Sequence, residues 1–93
     1  MSSRRRWPPW WDWELEFSSH LLKRMEDRRL TEVDLRRMME HAIGNRRDAV
    51  AGRWIIQTRR SRRAWEVIVE PLTTERLLLV VTAYPLESEK KAR

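Results

Sequence analysis

The spacing of the apolar residues changes near Gly52, and this change indicates two kinds of secondary structure in one short chain. Before it, apolar residues in 35–42 recur at intervals of three and four, as on a helix with one buried side. After it, residues 65–70 carry glutamates at alternating positions on one face and residues 77–81 are continuously apolar, as in strands. Because 93 residues provide only one modest core, helices and strands must share a single α+β domain.

The predicted order of elements is β-α-α-β-β-β. Ser18 or Ser19 is expected to cap the first helix, and Thr31 the second, with Asp34 completing an approximate capping box. We expect two helices packed on an antiparallel sheet of about four strands, the last three of which form a meander. The predicted elements are a strand over 13–17, helices over 20–29 and 31–43, and strands over 52–58, 65–70 and 76–84.

The ends of the chain differ in composition from its middle. Residues 1–11 are rich in Arg, Trp and Pro and are predicted to form a flexible tail, followed by one domain over 12–86 and a charged tail over 87–93. Two alternatives remain open for the first tail. It either contacts nucleic acid as an Arg/Trp strip, or it is a flexible start whose last tryptophans pack on the domain.

The positive charge is concentrated in one part of the chain. Lys and Arg total 20 against 14 Asp and Glu, so the net charge is +6, and such a chain is attracted to polyanions such as RNA. Residues 46–63 alone contain seven arginines and one aspartate, which accounts for the whole excess. Protection of a sheet edge and an Arg-rich genome are the alternative explanations. The predicted nucleic-acid-binding residues are Arg46, Arg47, Arg53, Arg59, Arg60, Arg62 and Arg63.

The sequence lacks residues that several functional classes require, and those classes are therefore excluded or disfavoured. It has no cysteine, so disulfides and thiolate metal sites are excluded, and a reducing compartment fits. The longest apolar run is too short for a membrane span, and no apolar segment follows the N-terminal arginines as in a signal peptide. Two histidines without metal-ligand spacing predict no metal, and two glycines allow no phosphate-binding loop. We expect a cytoplasmic protein without a cofactor.

Four residues form a candidate catalytic set: His20, Arg24, Thr82 and Tyr84. His20 lies in the first turn of a predicted helix, where the helix dipole favours the neutral imidazole that a general base requires. Arg24 follows one turn later and could hold a phosphate, and the hydroxyls of Thr82 and Tyr84 interrupt an otherwise apolar strand on one face. The set would suit metal-independent cleavage of RNA. The alternative is that all four are ordinary helix and strand residues.

The sequence also resembles a known family. Residues 17–31, FSSHLLKRMEDRRLT, match the pattern F-S-x-H-x-x-x-R-M-x-x-R-x-[IL]-[ST], which opens a family of small bacterial and phage domains of unknown function. The pairs at 31–32 and 52–53 and the closing VVTAYP at 80–85 fit as well, so the resemblance covers about residues 15–86.

That family is similar to the RelE/colicin/EndoU-like ribonucleases, some of which are toxins of toxin–antitoxin modules. The resemblance implies a RelE-like fold, an RNA substrate and an antitoxin as a possible partner. It also implies an active cleft between the first helix and the sheet, lined by His20, Arg24, Thr82 and Tyr84, with Arg53 a weaker candidate. The tail before residue 12 and the lack of glycine in 59–63 depart from the pattern.

Three functions therefore compete at this point. The first is a metal-independent, toxin-like endoribonuclease. The second is a non-catalytic module that binds nucleic acid or an acidic protein through its Arg-rich hairpin. The third is a subunit whose partner covers an apolar face, since six tryptophans in 93 residues is a high proportion and interfaces favour Trp and Arg.

Overall fold

A computed structural model describes residues 7–86, in which two helices pack on one face of a five-stranded sheet. The predicted C-terminal tail and residues 1–6 of the predicted N-terminal tail lie outside the described residues. Neither helix within 7–86 has the length and hydrophobicity that crossing a membrane requires. The elements are a 3-10 helix (Pro9–Asp12), β1 (Glu14–Phe17), α1 (Ser19–Arg28), α2 (Glu32–Glu40), β2 (Gly44–Arg47), β3 (Trp54–Arg60), β4 (Arg63–Leu72) and β5 (Leu77–Pro85).

The helices begin at the predicted caps. The Ser18 hydroxyl accepts a hydrogen bond from the Leu21 N–H at 3.0 Å, and Thr31 and Asp34 form a complete capping box. The predicted boundary at the end of the second helix is wrong by three residues, since α2 ends at Glu40 rather than at Ile43. The Ile43 N–H donates to the Gln57 carbonyl, so the chain has already left the helix and joined the sheet.

The predicted α+β class is confirmed, but the expected antiparallel sheet of about four strands is wrong in two respects. The sheet has five strands in the order β1-β5-β4-β3-β2, and it is mixed because β1 runs parallel to β5. The predicted antiparallel meander of the last three strands is confirmed. One edge of β5 is already paired with β4, so β1 takes the other edge. The two helices between β1 and β2 bring the chain across the sheet to its far edge.

One face of the sheet and both helices enclose the core. Trp10 belongs to this core at 8% exposure, although it lies in the segment predicted as a tail. Ile55 and Ile68 are also buried but lie outside the cluster, on the face that neither described helix covers, which we call the open face. The core consists of Trp10, Leu21, Met25, Leu30, Leu35, Met38, Met39, Ile56, Trp65, Val67, Val69, Leu78, Val80 and Ala83.

Candidate nucleic-acid interface

The first half of the predicted catalytic set lies on α1. The start of α1 is held against β5 by Ser18. The Ser18 hydroxyl caps the helix and also donates to the Val81 carbonyl at 2.8 Å. The end of α1 is fixed by the Arg28 guanidinium, which donates to the Ala83 carbonyl at 3.2 Å. His20 and Arg24 are exposed one turn apart, and neither side chain makes a hydrogen bond or ion pair within residues 7–86.

The second half lies on the open face of the sheet. Thr82 and Tyr84 flank Ala83, whose side chain is buried among the core residues beneath the helices. Because successive strand side chains point to opposite faces, Thr82 and Tyr84 point away from α1. Their cross-strand partners are Ile68 and Glu66. The structure therefore does not bring the four predicted catalytic residues into one cleft.

Tyr84 is engaged in a polar contact on this face. Its hydroxyl donates to the Glu66 carboxylate at 2.8 Å, and that carboxylate also receives a hydrogen bond from Arg46 at 3.2 Å. Burial of the phenol, together with the hydrogen bond and negative charge of Glu66, raises the pKa of Tyr84 to about 12. A phenol with this pKa keeps its proton near neutral pH, and that proton is already shared with Glu66.

The seven predicted binding arginines separate into two groups at opposite ends of β3. Three belong to the end of β2 and the loop that follows it, and we call them the β2-end arginines: Arg46, Arg47 and Arg53. Four belong to the turn between β3 and β4, and we call them the hairpin-tip arginines: Arg59, Arg60, Arg62 and Arg63. β3 has seven residues, so at about 3.4 Å per residue its two ends lie about 20 Å apart.

The β2-end arginines are largely engaged within the protein. Arg46 pairs with Glu66 at 3.2 Å and Arg53 with Glu70 at 3.3 Å. The Arg47 guanidinium lies 4.9 Å from the centroid of the Trp54 ring, a cation–π distance. These contacts lower the net positive charge that this end presents to a polyanion.

The hairpin-tip arginines are mostly unengaged. Within residues 7–86, Arg59, Arg62 and Arg63 are exposed and their side chains make no hydrogen bond or ion pair. Only Arg60 is held, by the Asp34 carboxylate at 3.3 Å and by the Arg29 carbonyl at 3.4 Å. The Thr31 N–H holds the pKa of Asp34 below its usual value, with a further contribution from the charge of Arg60.

A cleft of about 270 Å³ lies between this tip and α2. We call it the basic cleft, and its charged and titratable lining residues are Asp34, Arg37, His41, Arg59 and Arg60. The His41 Nδ1 atom lies 2.9 Å from the Arg37 carbonyl, which accepts a hydrogen bond from the imidazole when Nδ1 carries the proton. Three arginines and one histidine therefore line the same cleft as a single carboxylate, that of Asp34.

Arg37 and His41 are not among the residues that the sequence predicts to bind nucleic acid. Their spacing of four along α2 was the available signal, since residues four apart share one face of a helix. That spacing did not show that the face would lie beside the hairpin tip. The contact joins residues more than twenty positions apart in the chain, and the packing of α2 on β3 determines it.

No three His, Asp or Glu side chains within the described part of the chain come together as metal ligands. No family model, no curated protein and no solved structure matches the chain.

Proposed function

We propose that the chain is a non-catalytic nucleic-acid-binding module that holds RNA by the hairpin-tip arginines. One observation carries this proposal. The side chains of three exposed arginines at one turn have no partner within residues 7–86, and one of them, Arg59, lines a cleft that adds Arg37 and His41. Arginine suits this task because its planar guanidinium can donate two parallel hydrogen bonds to one phosphate.

Protection of a sheet edge accounts for only part of the tip. β2 covers β3 over Trp54–Gln57, which leaves Arg59 and Arg60 without a strand on that side, but Arg62 belongs to the turn that joins β3 to β4. Arg46 and Arg47 lie on β2, which is an edge strand, so edge protection fits those two. The two groups of arginines therefore support different roles, although they are neighbours in sequence.

The test compares two variants that lose the same formal charge. Arg59, Arg62 and Arg63 are changed to Gln in one, and Arg46, Arg47 and Arg53 in the other. Affinity for a labelled RNA is measured by fluorescence anisotropy over a range of salt concentrations. We expect the tip variant to lose at least tenfold in affinity and to reduce the log–log salt slope by about 2, since each phosphate contact contributes about 0.7–0.9.

We expect the β2-end variant to lose clearly less affinity, because two of its three arginines are already paired with carboxylates. Circular dichroism melts check that both variants fold. Equal losses of affinity in the two variants would indicate that RNA binding depends only on net charge. That result would contradict a defined binding site at the hairpin tip. A parent protein that binds no nucleic acid at low salt would overturn the proposal.

Metal-independent RNA cleavage in a RelE-like arrangement, with an antitoxin as partner, is the alternative function. In its favour, His20 and Arg24 are exposed one turn apart on α1 and are unpaired within residues 7–86. Against it, Thr82 and Tyr84 belong to the other face of the sheet, so His20 and Arg24 lack the two hydroxyls. Binding without cleavage does not require the four predicted catalytic side chains to meet in one cleft. For this reason it is the function that we prefer.

A further inference from the structure

A second cavity, of about 550 Å³, lies on the other flank of α2. We call it the tryptophan cleft, because three indoles line it together with two charged side chains of α2. Those five residues are Trp7, Trp11, Trp13, Arg36 and Glu40. Ligand sites commonly have volumes of about 300–1,000 Å³, are lined by aromatic groups and contain a few polar groups, so the cavity has the dimensions of a binding site.

The 3-10 helix fixes the indoles that line this cleft. The Trp11 N–H donates to the Pro8 carbonyl at 3.0 Å, and the Trp13 N–H to the Trp10 carbonyl at 3.1 Å. Trp10 is buried and lies 5.4 Å from Trp54 between ring centroids, which anchors the turn in the core. Trp11 remains half-exposed and stacks on Trp7 at 4.4 Å with an angle of 24° between the rings. Trp10 is buried in the core and Trp11 and Trp13 pack against it, but Trp11 and Trp13 both keep exposed surface on the side of the cleft.

We propose that the tryptophan cleft takes an unpaired nucleobase, so that the ligand of this module is a single-stranded nucleic acid. The inference rests on the proposed function and specifies its substrate class. A base can stack on an indole whatever its identity, because every base has a π-face. A base inside a duplex is already stacked between its neighbours and cannot enter the cleft without being extruded. The Glu40 carboxylate, exposed and without a partner within residues 7–86, can accept a hydrogen bond from an exocyclic amino group.

The two clefts are placed so that one strand can occupy both. Arg36 and Glu40 line the tryptophan cleft, whereas Arg37 and His41 line the basic cleft, so consecutive positions of α2 face the two sides. A helix with its side chains is about 10–12 Å wide, which is a distance that a few nucleotides can cross. A strand lying over α2 would place a base against the indoles and its phosphates beside the hairpin tip.

The experiment uses the full chain and three labelled RNA ligands of equal length. These are a single strand, the same strand with several bases replaced by abasic residues, and a duplex. Anisotropy titrations in moderate salt give their affinities. We expect the intact single strand to bind at least tenfold more tightly than the abasic strand, which retains every phosphate but no stacking group. We expect the duplex to bind more weakly than the intact single strand.

Two substitutions at one position provide the matched protein test. Trp11→Leu removes the aromatic ring and keeps an apolar side chain, and we expect it to abolish most of the preference for the intact strand. Trp11→Tyr keeps an aromatic ring, and we expect it to retain that preference. Melting temperatures within a few degrees of the parent show that the 3-10 helix still packs.

The outcomes separate this inference from the proposed function. Equal affinity for intact and abasic strands would overturn the base-binding cleft while leaving arginine-mediated binding in place. Competition by tetramethylammonium but not by a nucleoside would identify the cleft as a cation site and also overturn it. Absence of binding to all three RNAs would overturn the proposed function itself.

Discussion

Thr58 is a polar residue that the fold buries almost completely, at 1% exposure. Its hydroxyl donates to the Met38 carbonyl near the end of α2, and this bond connects β3 to the helix layer. The sequence predicts a strand that ends at Thr58, on the basis of the apolar residues Trp54, Ile55 and Ile56. It could not identify the partner of the hydroxyl, because Met38 lies twenty positions away and only the packing of α2 brings its carbonyl within reach.

Replacing Thr58 by Val tests this bond with little change in shape. The valine leaves the buried Met38 carbonyl without that donor, so we expect a loss of about 1–2 kcal/mol in the free energy of unfolding, measured in urea. Thr82→Val is the matched control. Thr82 is half-buried and its side chain makes no hydrogen bond within residues 7–86, so its replacement should change stability by less than about 0.5 kcal/mol. Equal effects of the two substitutions would contradict a stabilising role for the Thr58 hydroxyl.

A second prediction concerns the ionisation of Tyr84. This residue is the only tyrosine in the chain. The pKa of its phenol is raised to about 12 by burial and by Glu66. The native state therefore holds this proton more tightly than the unfolded chain, whose tyrosine ionises near pH 10. The stabilising effect is complete below pH 10 and is lost as the pH rises towards 12.

Absorbance of the phenolate near 295 nm reports Tyr84 alone. We expect a native midpoint close to 12, a midpoint near 10 in denaturant, and a lower native midpoint in Glu66→Gln, which removes the neighbouring negative charge. A native midpoint that does not respond to this substitution would contradict the coupling between Tyr84 and Glu66.

At the scale of elements, the sequence predicts those whose side chains carry a periodic pattern. The capped helices and the meander follow from such patterns, and they are observed with shifted ends. β2 was missed because its sequence, GNRR, has no apolar alternation. Its formation depends on backbone pairing with residues Trp54–Gln57 of β3, a contact that only the completed hairpin supplies.

The β3–β4 turn has the geometry of a two-residue loop although it contains no glycine. Arg60 pairs with Arg63, and the two residues between them, Ser61 and Arg62, have φ angles of 51° and 65°. Positive φ at both central positions is typical of the type I′ turns that join twisted strands, and glycine is favoured there. The lack of glycine in this segment is therefore compatible with a tight hairpin, at a cost in backbone energy.

Arg62→Gly should relieve part of this cost. A non-glycine residue in the left-handed region is disfavoured by about 1–2 kcal/mol, so we expect the substitution to raise the free energy of unfolding by about 1 kcal/mol. Arg63→Gly removes the same charge from a strand residue outside that region and should lower stability by about 0.5–1 kcal/mol. Urea denaturation of both variants measures the difference. A destabilised Arg62→Gly would show that the arginine side chain contributes more than its backbone strain costs.

At the scale of the whole molecule, folding changes what the charge pattern means. The seven arginines of residues 46–63 form one block in the sequence but two groups in space, because β3 is extended between them. Acidic residues of β4 and α2 then pair with Arg46, Arg53 and Arg60. The sequence could identify the basic region but not the carboxylates that would neutralise part of it. The same limit applies to His20 and Tyr84, whose elements were predicted but whose placement across the sheet was not.

This arrangement leads to a prediction for the intact protein. The chain is mixed with a tRNA pool in EDTA, and the products are separated on native and denaturing gels. We expect the tRNA to be retarded on the native gel and to remain uncut on the denaturing gel, because His20 and Arg24 lie on α1 while Thr82 and Tyr84 belong to the opposite face of the sheet.

His20→Ala should behave like the parent, since an exposed side chain without a partner within residues 7–86 contributes neither to folding nor to the hairpin tip. Discrete fragments from the parent and none from His20→Ala would instead establish His20 in a ribonuclease site and require its catalytic partners to be sought among other residues near α1.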